Sequence, residues 1–268
     1  MLATMPKPCL PGHTRPSMID SSRTNRRCVR ADRGAHWWEL RSCDYYDLFG
    51  RPKVLWKDLS FYSEFAFDSE GTYTNNLCYF IPTDDLWLVA VLNSPLVWSY
   101  LWRNATHGKD EVLRLQTIFM ETLPIARPAP ELRAATERSV RELIKIARER
   151  SEATVALLEW LRIEWGIDKP GVKLSAPESL ALDDFIGEVK SRRPGRGSVT
   201  SGELRRLRDE YESTVPALQG LLRRAGEVER VVAAAVHAAY GLTEEEVSLL
   251  WRTAPPRMPQ GRVDVALH

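Results

Sequence analysis

The sequence predicts an α+β fold, in which a small mixed αβ domain is followed by a region of long helices that form an antiparallel hairpin. Before residue 126, short apolar runs rich in aromatic and β-branched residues alternate with turn residues, as expected for short strands. After residue 127, apolar residues recur every three or four positions over long stretches, as on one face of a helix. Prolines at positions 124, 128 and 130 separate the two patterns.

The first 35 residues have a different composition and predict a flexible basic lead. They contain seven Lys or Arg against two Asp, are rich in Pro, Ser and Thr, and show no apolar period. The expected organisation of the chain is therefore a lead at 1–35, an αβ domain at 36–126, a helical region at 127–251 and a loose, proline-rich tail at 252–268.

The αβ domain is expected to begin with short strands. Val54–Trp56 and Phe61–Phe67 have strand composition, and Asp68–Gly71 supplies the turn residues of a hairpin. The hairpin leads into a strand over Thr72–Ile81, which Pro82 ends because proline cannot donate a ladder hydrogen bond.

Two helices are predicted next, joined at a corner. Thr83 can cap the first helix, and the carboxylates of Asp84 and Asp85 suit the positive end of its dipole. Ser94 and Pro95 combine a capping side chain with a proline suited to the first helical turn, so a second helix is expected to start there.

The helical region has two long amphipathic stretches. The first places Leu143, Ala147, Thr154, Leu158, Leu161 and Trp165 along one face, and the second runs from Leu204 to Ala235 with the same spacing. We expect the two helices to pack antiparallel, with a possible kink at Pro216. A short helix and the basic glycine-rich loop around Gly195 lie between them, and Thr243 with Glu246 forms a capping box for a last short helix.

Composition excludes several classes of protein. The formal net charge is +1, so a nucleic-acid partner would have to be recognised by a local surface. The four cysteines are irregularly spaced and indicate neither a zinc site nor a disulfide framework. No apolar run reaches the ~20 residues needed to cross a bilayer, and no signal core is evident. A cytoplasmic protein is expected.

The sequence contains no recognisable catalytic or cofactor-binding motif. It lacks an Asn/Asp-Pro-Pro-aromatic tetrapeptide, a P-loop, a G-x-S-x-G motif and an H-E-x-x-H motif. Asp184 followed by Glu188 and Lys190 loosely imitates a metal-dependent nuclease, but this spacing favours a helix with a solvated face. No catalytic residue, bound cofactor or metal ligand is therefore predicted within this chain.

Basic, amide and aromatic residues are interleaved in the first half; most of the aromatics are expected in the core, and spacing alone favours a DNA-contacting surface less than a structural role. The candidate DNA-binding residues are Arg41, Arg51, Lys53, Lys57, Asn75, Arg103, His107, Lys109 and Arg114. The polar loop 104–110 is the preferred contact element, because recognition usually lies on loops. Trp56 and Tyr79 are expected to pack in the core rather than contact bases.

The order of several blocks resembles a known family. The blocks are "WWELRSCDYYDLFGRPKVLWKDLS", "FAFDSEGTYTNNLCYFIPTDDLWLVAVLNSPLVWSYL" and "LRLQTIFMETLPI". Together they resemble the TaqI-like C-terminal specificity domain, a target-recognition domain of adenine-N6 DNA methyltransferases and fused type II restriction-modification enzymes. The later block "VVAAAVHAAYGLTEEEVSLL" is similar to the end of the large fused members.

The resemblance implies that residues 36–126 recognise a sequence in double-stranded DNA. It also implies that a methyltransferase domain or subunit, using S-adenosylmethionine, methylates the N6 nitrogen of an adenine flipped out of the duplex. In the family that catalytic domain precedes the specificity domain. No such domain is recognised in this sequence, which is therefore expected to be a C-terminal piece: a split subunit, a truncated gene product or a fragment. Two alternatives stay open: a helical-hairpin protein-interaction module without a DNA role, and a diverged nuclease.

Overall fold

The computed structural model describes residues 45–195 and 199–259. It confirms the predicted α+β class, with two small antiparallel sheets in the first half and long helices in the second. A 3-10 helix at Tyr46–Gly50 leads into the first sheet. None of the helices in these two ranges is both long and apolar enough to span a membrane.

The first sheet is centred on strand β1, Lys53–Lys57. Strands β3, Ala66–Asp68, and β4, Cys78–Pro82, pair with it on either side, both antiparallel. Residues alternate between the two faces of β1, so Val54 and Trp56 point into the main core while Lys53 points to the opposite face.

The second sheet is smaller and has three two-residue strands. Its strands are β2, Leu59–Ser60, β5, Thr106–His107, and β6, Leu113–Arg114, with β6 in the middle. Asp58 joins the two sheets, because its backbone N–H donates to the Leu77 carbonyl at 2.8 Å and its carbonyl accepts from the Leu115 N–H at 2.7 Å. The chain therefore turns a corner at Asp58.

The predicted strand at Thr72–Ile81 is mostly wrong, since pairing begins only at Cys78. Asn75 and Asn76 lie in the preceding turn, where Asn75 Oδ1 accepts a hydrogen bond from the Leu77 N–H at 3.0 Å. Asparagine side chains favour such local bonds to the backbone, which compete with strand pairing. The predicted strand at Phe61–Phe67 is likewise reduced to its last two residues, in β3.

The helix corner is confirmed. Helix α1 covers Leu86–Leu92, and helix α2 covers Pro95–Asn104 with Ser94 as its capping residue. The cap of α1 differs from the prediction: Asp85, not Thr83, accepts hydrogen bonds from the first free backbone N–H groups of the helix. Thr83 instead accepts a hydrogen bond from the Asp85 backbone N–H at 3.1 Å and so holds the capping residue.

The remaining helices form the second half. They are α3, Thr117–Met120; α4, Pro130–Trp165; α5, Gly171–Leu174; α6, Leu182–Arg192; α7, Ser201–Ala239; and α8, Glu244–Arg252. A 3-10 turn at Pro177–Ser179 precedes α6. Pro216 lies within α7, and the helix continues beyond it to Ala239. The capping box of Thr243 and Glu246 is confirmed at the start of α8.

Helices α4 and α7 pack along each other and contribute to two separate cores. Val140 of α4 and Val236 of α7 join the core of the αβ half, which is built around Trp98 of α2. At the far end, Leu161 of α4 and Leu207 of α7 pack into a second core with the short helices. The start of one helix thus lies beside the end of the other, which confirms the antiparallel hairpin.

The expected loose tail is wrong for the segment after α8. The indole N–H of Trp98 donates to the Pro256 carbonyl at 3.0 Å, and Met258, which is 5% exposed, belongs to the core of the αβ half. The buried indole needs a hydrogen-bond partner, and the tail supplies one. Residues 260–268 lie outside the described ranges.

Candidate nucleic-acid interface

The second sheet presents one row of side chains to solvent. Leu59, Arg114 and Thr106 are directly opposite one another on β2, β6 and β5, so their side chains share one face. Leu59 is 51% exposed and the Arg114 side chain is 42% exposed. The alternate residues Ser60 and Leu113 are buried, which shows that the first row faces outward.

Arg114 is held in place by the corner residue. Its Nη2 donates to Asp58 Oδ2 at 3.0 Å, and the Asp58 side chain is only 13% exposed. The hydrogen bond to Asp58, together with the negative charge of that carboxylate, raises the pKa of Arg114 further above its ordinary value. Asp58 Oδ1 and Arg114 Nε are buried and have no hydrogen-bond partner among the described residues. The pair therefore orients a permanently charged guanidinium at the surface.

Two aromatic side chains, Trp56 and Tyr79, pack near the Asp58–Arg114 pair. Trp56 and Tyr79 stack with their ring centroids 5.6 Å apart, and the indole N–H of Trp56 donates to the Leu115 carbonyl at 2.8 Å. Burial, and then the nearby charge of Asp58, raise the pKa of Tyr79, so its phenol stays neutral. The expectation that Trp56 and Tyr79 pack rather than contact bases is confirmed for Trp56, which is buried, and Tyr79 packs against it.

Further exposed residues lie close in sequence to β2 and to the start of β4. Phe61 and Tyr62 follow β2, and Leu77 precedes β4; all three are large apolar or aromatic side chains exposed to solvent. Lys57 lies opposite Cys78, the neighbour of Leu77, and its Nζ is 2.5 Å from a carboxylate oxygen of Glu64. Asn75 is exposed in the turn before Leu77, although its side-chain oxygen is engaged by the backbone.

Two of the polar side chains at and after the end of α2 form hydrogen bonds within the protein. Arg103 Nη1 donates to the Ser99 carbonyl at 2.9 Å and its Nη2 donates to the Thr253 carbonyl at 2.8 Å. His107 Nε2 lies 2.7 Å from the Trp102 carbonyl oxygen, and its ring makes an edge contact with the Trp102 ring. Lys109 is exposed on the loop. Arg103 and His107 thus shape the loop, whereas Lys109 remains accessible.

The other candidates lie apart from this surface. Arg51 is exposed between the end of the 3-10 helix and the start of β1. Lys53 is fully buried, donates to the Phe49 carbonyl at 2.7 Å and forms an ion pair with Asp68. A side chain without exposed surface does not reach a phosphate, so we leave Lys53 out of the interface. Arg41 lies outside the described residues.

Asp58 is the residue that sequence reasoning missed. Its partner Arg114 is 56 residues away along the chain, so no local spacing links the two. One feature of the sequence could have indicated Asp58: it is a carboxylate directly after the predicted strand, where the chain must turn.

The residues that suggested a nuclease lie on a helix, as the spacing favoured. Asp184 and Glu188 are in α6, and Glu188 forms ion pairs with Lys173 at 2.6 Å and Arg192 at 3.1 Å. The hydrogen bond from Lys173 has the largest effect, and together with Arg192 it holds the pKa of Glu188 below its ordinary value. Across residues 45–195 and 199–259, no group of His, Cys, Asp or Glu has a metal-binding arrangement.

The connection between β4 and α1 lacks the features of an S-adenosylmethionine-binding turn. Cofactors of this kind bind where a glycine-rich turn connects a strand to a helix, because glycine permits close approach of the backbone. Here β4 is connected to α1 through Thr83, Asp84 and Asp85, with no glycine and with carboxylates at the start of the helix.

Arginine contacts both phosphates and the guanine edge, so the exposed Arg114 guanidinium has the chemistry to bind nucleic acid. Comparison with known families agrees with this class. Residues 20–125 match the model of the TaqI-like C-terminal specificity domain, which confirms the resemblance seen in the sequence. The match supports a role in DNA specificity within methyltransferase or restriction systems.

The second half matches a different family model. Residues 129–236 match a domain of unknown function, DUF8810. This region contains all of α4 and most of α7, together with the short helices between them. No curated protein and no solved structure gives a significant match to the chain.

Proposed function

We propose that this chain provides the sequence-specific DNA-recognition portion of an adenine-specific DNA methyltransferase or restriction-modification enzyme. The observation that carries the proposal is the Arg114 guanidinium, oriented by Asp58 on the exposed face of the second sheet. It lies within the residues that match a specificity domain.

Arg114 has the chemistry of a base-reading residue. Arginine bonds two acceptors of guanine, O6 and N7, in the major groove, and each good bidentate contact contributes ~1–3 kcal/mol of discrimination. Because Asp58 holds one nitrogen of the fork, the guanidinium loses little further freedom when it binds. Leu59 and Thr106 flank it and can contact the methyl group of thymine or a neighbouring polar base edge.

Other residues of the surface would hold the DNA backbone. Lys57 and Lys109 are exposed cations near either end of the row, and lysine contacts phosphate as a point charge. The net charge of +1 does not by itself attract DNA, so phosphate contacts must be few and local. Binding to arbitrary duplexes is therefore expected to be weak.

Methyl transfer would take place on a methyltransferase domain or subunit that binds S-adenosylmethionine and receives the flipped adenine. This chain contributes the choice of site and no catalytic group. The helical region would buttress the recognition half or dock the catalytic domain.

Selection from a random duplex library tests the proposal. The purified chain, together with a TaqI-like catalytic half if one is required, should enrich a defined sequence. Arg114→Ala should lose discrimination at one base pair, whereas Arg208→Ala, an exposed arginine on α7, should keep the enriched sequence.

Absence of any enriched sequence would contradict the proposal. Binding that weakens equally on all sequences in Arg114→Ala would assign that arginine to a phosphate instead. Metal-dependent cleavage that is lost in Asp184→Asn would favour the nuclease alternative, and a chain that ignores DNA but captures a protein through its hairpin would favour the interaction module.

A further inference from the structure

The segment after α8 returns to the recognition half. We name residues 253–258 the C-terminal strap; they lie outside both regions that match family models. Three contacts fix the strap: Trp98 donates to the Pro256 carbonyl, Arg103 donates to the Thr253 carbonyl, and Met258 enters the core of the αβ half.

Arg257 is the exposed residue held between these anchors. Its φ is 59°, in the left-handed region that residues with a Cβ rarely adopt. Such a conformation costs energy and persists only where the surroundings impose it, as the flanking contacts do here. The flanking contacts therefore fix the backbone at Arg257.

The Arg257 guanidinium lies over the aromatic pair that follows β2. Its central carbon is 4.8 Å from the Phe61 ring centroid and 6.0 Å from that of Tyr62. A guanidinium stacked on an aromatic face is oriented while its N–H groups stay available at the edges. Within the described ranges, this guanidinium forms no hydrogen bond or ion pair with another side chain.

The position of Arg257 places it beside the candidate interface. Phe61 is two residues from Leu59, and Leu59 is the cross-strand neighbour of Arg114. The strap therefore adds a second oriented arginine to the surface that presents Arg114, from a part of the chain more than a hundred residues away in sequence.

We propose that Arg257 contacts a DNA phosphate and that the C-terminal strap is a functional part of the DNA interface; the inference rests on the proposed recognition function. A phosphate fits better than a base for two reasons. The guanidinium fork matches phosphate geometry, and Arg257 lies beyond the edge strand β2, away from the central strand β6 that carries Arg114.

The test measures by fluorescence anisotropy how DNA affinity depends on salt, with a fluorescein-labelled duplex of about 30 base pairs that carries the enriched sequence and with the catalytic half present if it is required. The main variant is Arg257→Asn, because asparagine adopts the left-handed conformation more readily than most residues and should leave the strap in place. Arg208→Asn removes the same charge from the exposed surface of α7 and is the matched control.

One lost phosphate contact should lower the slope of log affinity against log salt by about 0.9. Between about 50 and 200 mM salt, wild-type affinity should therefore fall roughly threefold more than that of Arg257→Asn. Arg208→Asn should follow the wild-type line. Arg257→Lys should keep most of the slope, since it keeps the charge, but should bind more weakly because it loses the planar stack.

The outcomes separate the two proposals. If the wild-type chain binds DNA and Arg257→Asn has the same slope as Arg208→Asn, the assignment of Arg257 is wrong and the recognition function stands. If the wild-type chain binds no duplex even at low salt, the recognition function is wrong and the role of Arg257 falls with it. Thermal unfolding of each variant confirms that the fold is retained.

Discussion

Lys53 and Asp68 lie directly opposite each other on β1 and β3 and form an ion pair that is shielded from solvent. Lys53 also donates to the Phe49 carbonyl, so the pair ties the first 3-10 helix to the sheet. Burial alone would raise the pKa of Asp68. Hydrogen bonds from Lys53 and from the backbone N–H groups of Glu70 and Thr72 outweigh that effect and hold the pKa below its ordinary value.

Breaking this pair should destabilise the protein strongly. Lys53→Met leaves a buried carboxylate without its cation and should cost about 3–5 kcal/mol of unfolding free energy at neutral pH. The double variant with Asp68→Asn should recover part of that loss, because neither charge is then stranded. Urea unfolding of the four proteins measures the coupling. Losses of unfolding free energy in Lys53→Met and Asp68→Asn that simply add in the double variant would contradict a coupled pair.

The Lys53–Asp68 pair also determines how the free energy of unfolding changes at acid pH. Because the pKa of Asp68 is lowered on folding, its stabilisation is present above the ordinary Asp value of about 3.9 and is lost as pH falls through the folded-state pKa. Wild-type stability should therefore decrease on acidification in that range, and Asp68→Asn should remove part of the decrease.

Asp58 should act as a positioning residue for Arg114. Asp58→Asn keeps an oxygen acceptor but removes the charge that holds the guanidinium. Discrimination at the base pair read by Arg114 should fall by about tenfold, at the lower end of the energy of one bidentate contact. Competition between the selected duplex and single-base variants measures it. A larger loss on unrelated duplexes than on the selected one would contradict positioning.

Leu161 should be critical for the far end of the helical hairpin. Its side chain is fully buried in the second core, and Leu161→Ala should cost about 2–5 kcal/mol because it removes packed methyl groups and leaves a cavity. Ile163, two residues further along α4, is 64% exposed, and Ile163→Ala should change stability by less than about 0.5 kcal/mol. Chemical denaturation of the two variants gives the comparison.

His237 should make the protein less stable in mild acid. Burial lowers its pKa, and its Nε2 has no hydrogen-bond partner in the part of the chain that the structure describes. The unfolded chain therefore binds a proton more readily, so stability is present above the ordinary histidine value of about 6.5 and is lost as pH falls below it. His237→Gln should flatten the change in unfolding free energy between about pH 7 and 5, as measured by urea unfolding across that range.

Local chemistry explains which elements were predictable. The corner at Ser94 and Pro95 and the capping box at Thr243 depend on residues within four positions of each other, so the sequence contains the whole interaction. The strand predicted at Asn75 was wrong because its side chain accepts a hydrogen bond from the backbone two residues later. Strand propensity does not include that bond.

Long-range pairing explains what was missed. Asp58 with Arg114, and Trp98 with Pro256, are separated by 56 and 158 residues, and each pair meets only once the chain has folded. The basic candidates show the same limit. Lys53 and Lys57 are four positions apart, at the two ends of one strand, yet Lys53 is buried against the 3-10 helix and Lys57 is exposed.

The shared core has a practical consequence for engineering new specificities. Val140, Val236 and Met258 belong to segments beyond residue 126, yet they complete the apolar interior that surrounds Trp98. A graft that transplanted only residues 36–126 into another enzyme would leave that interior open to water. Successful chimeras should exchange the recognition half together with the adjoining ends of α4 and α7 and the closing C-terminal residues.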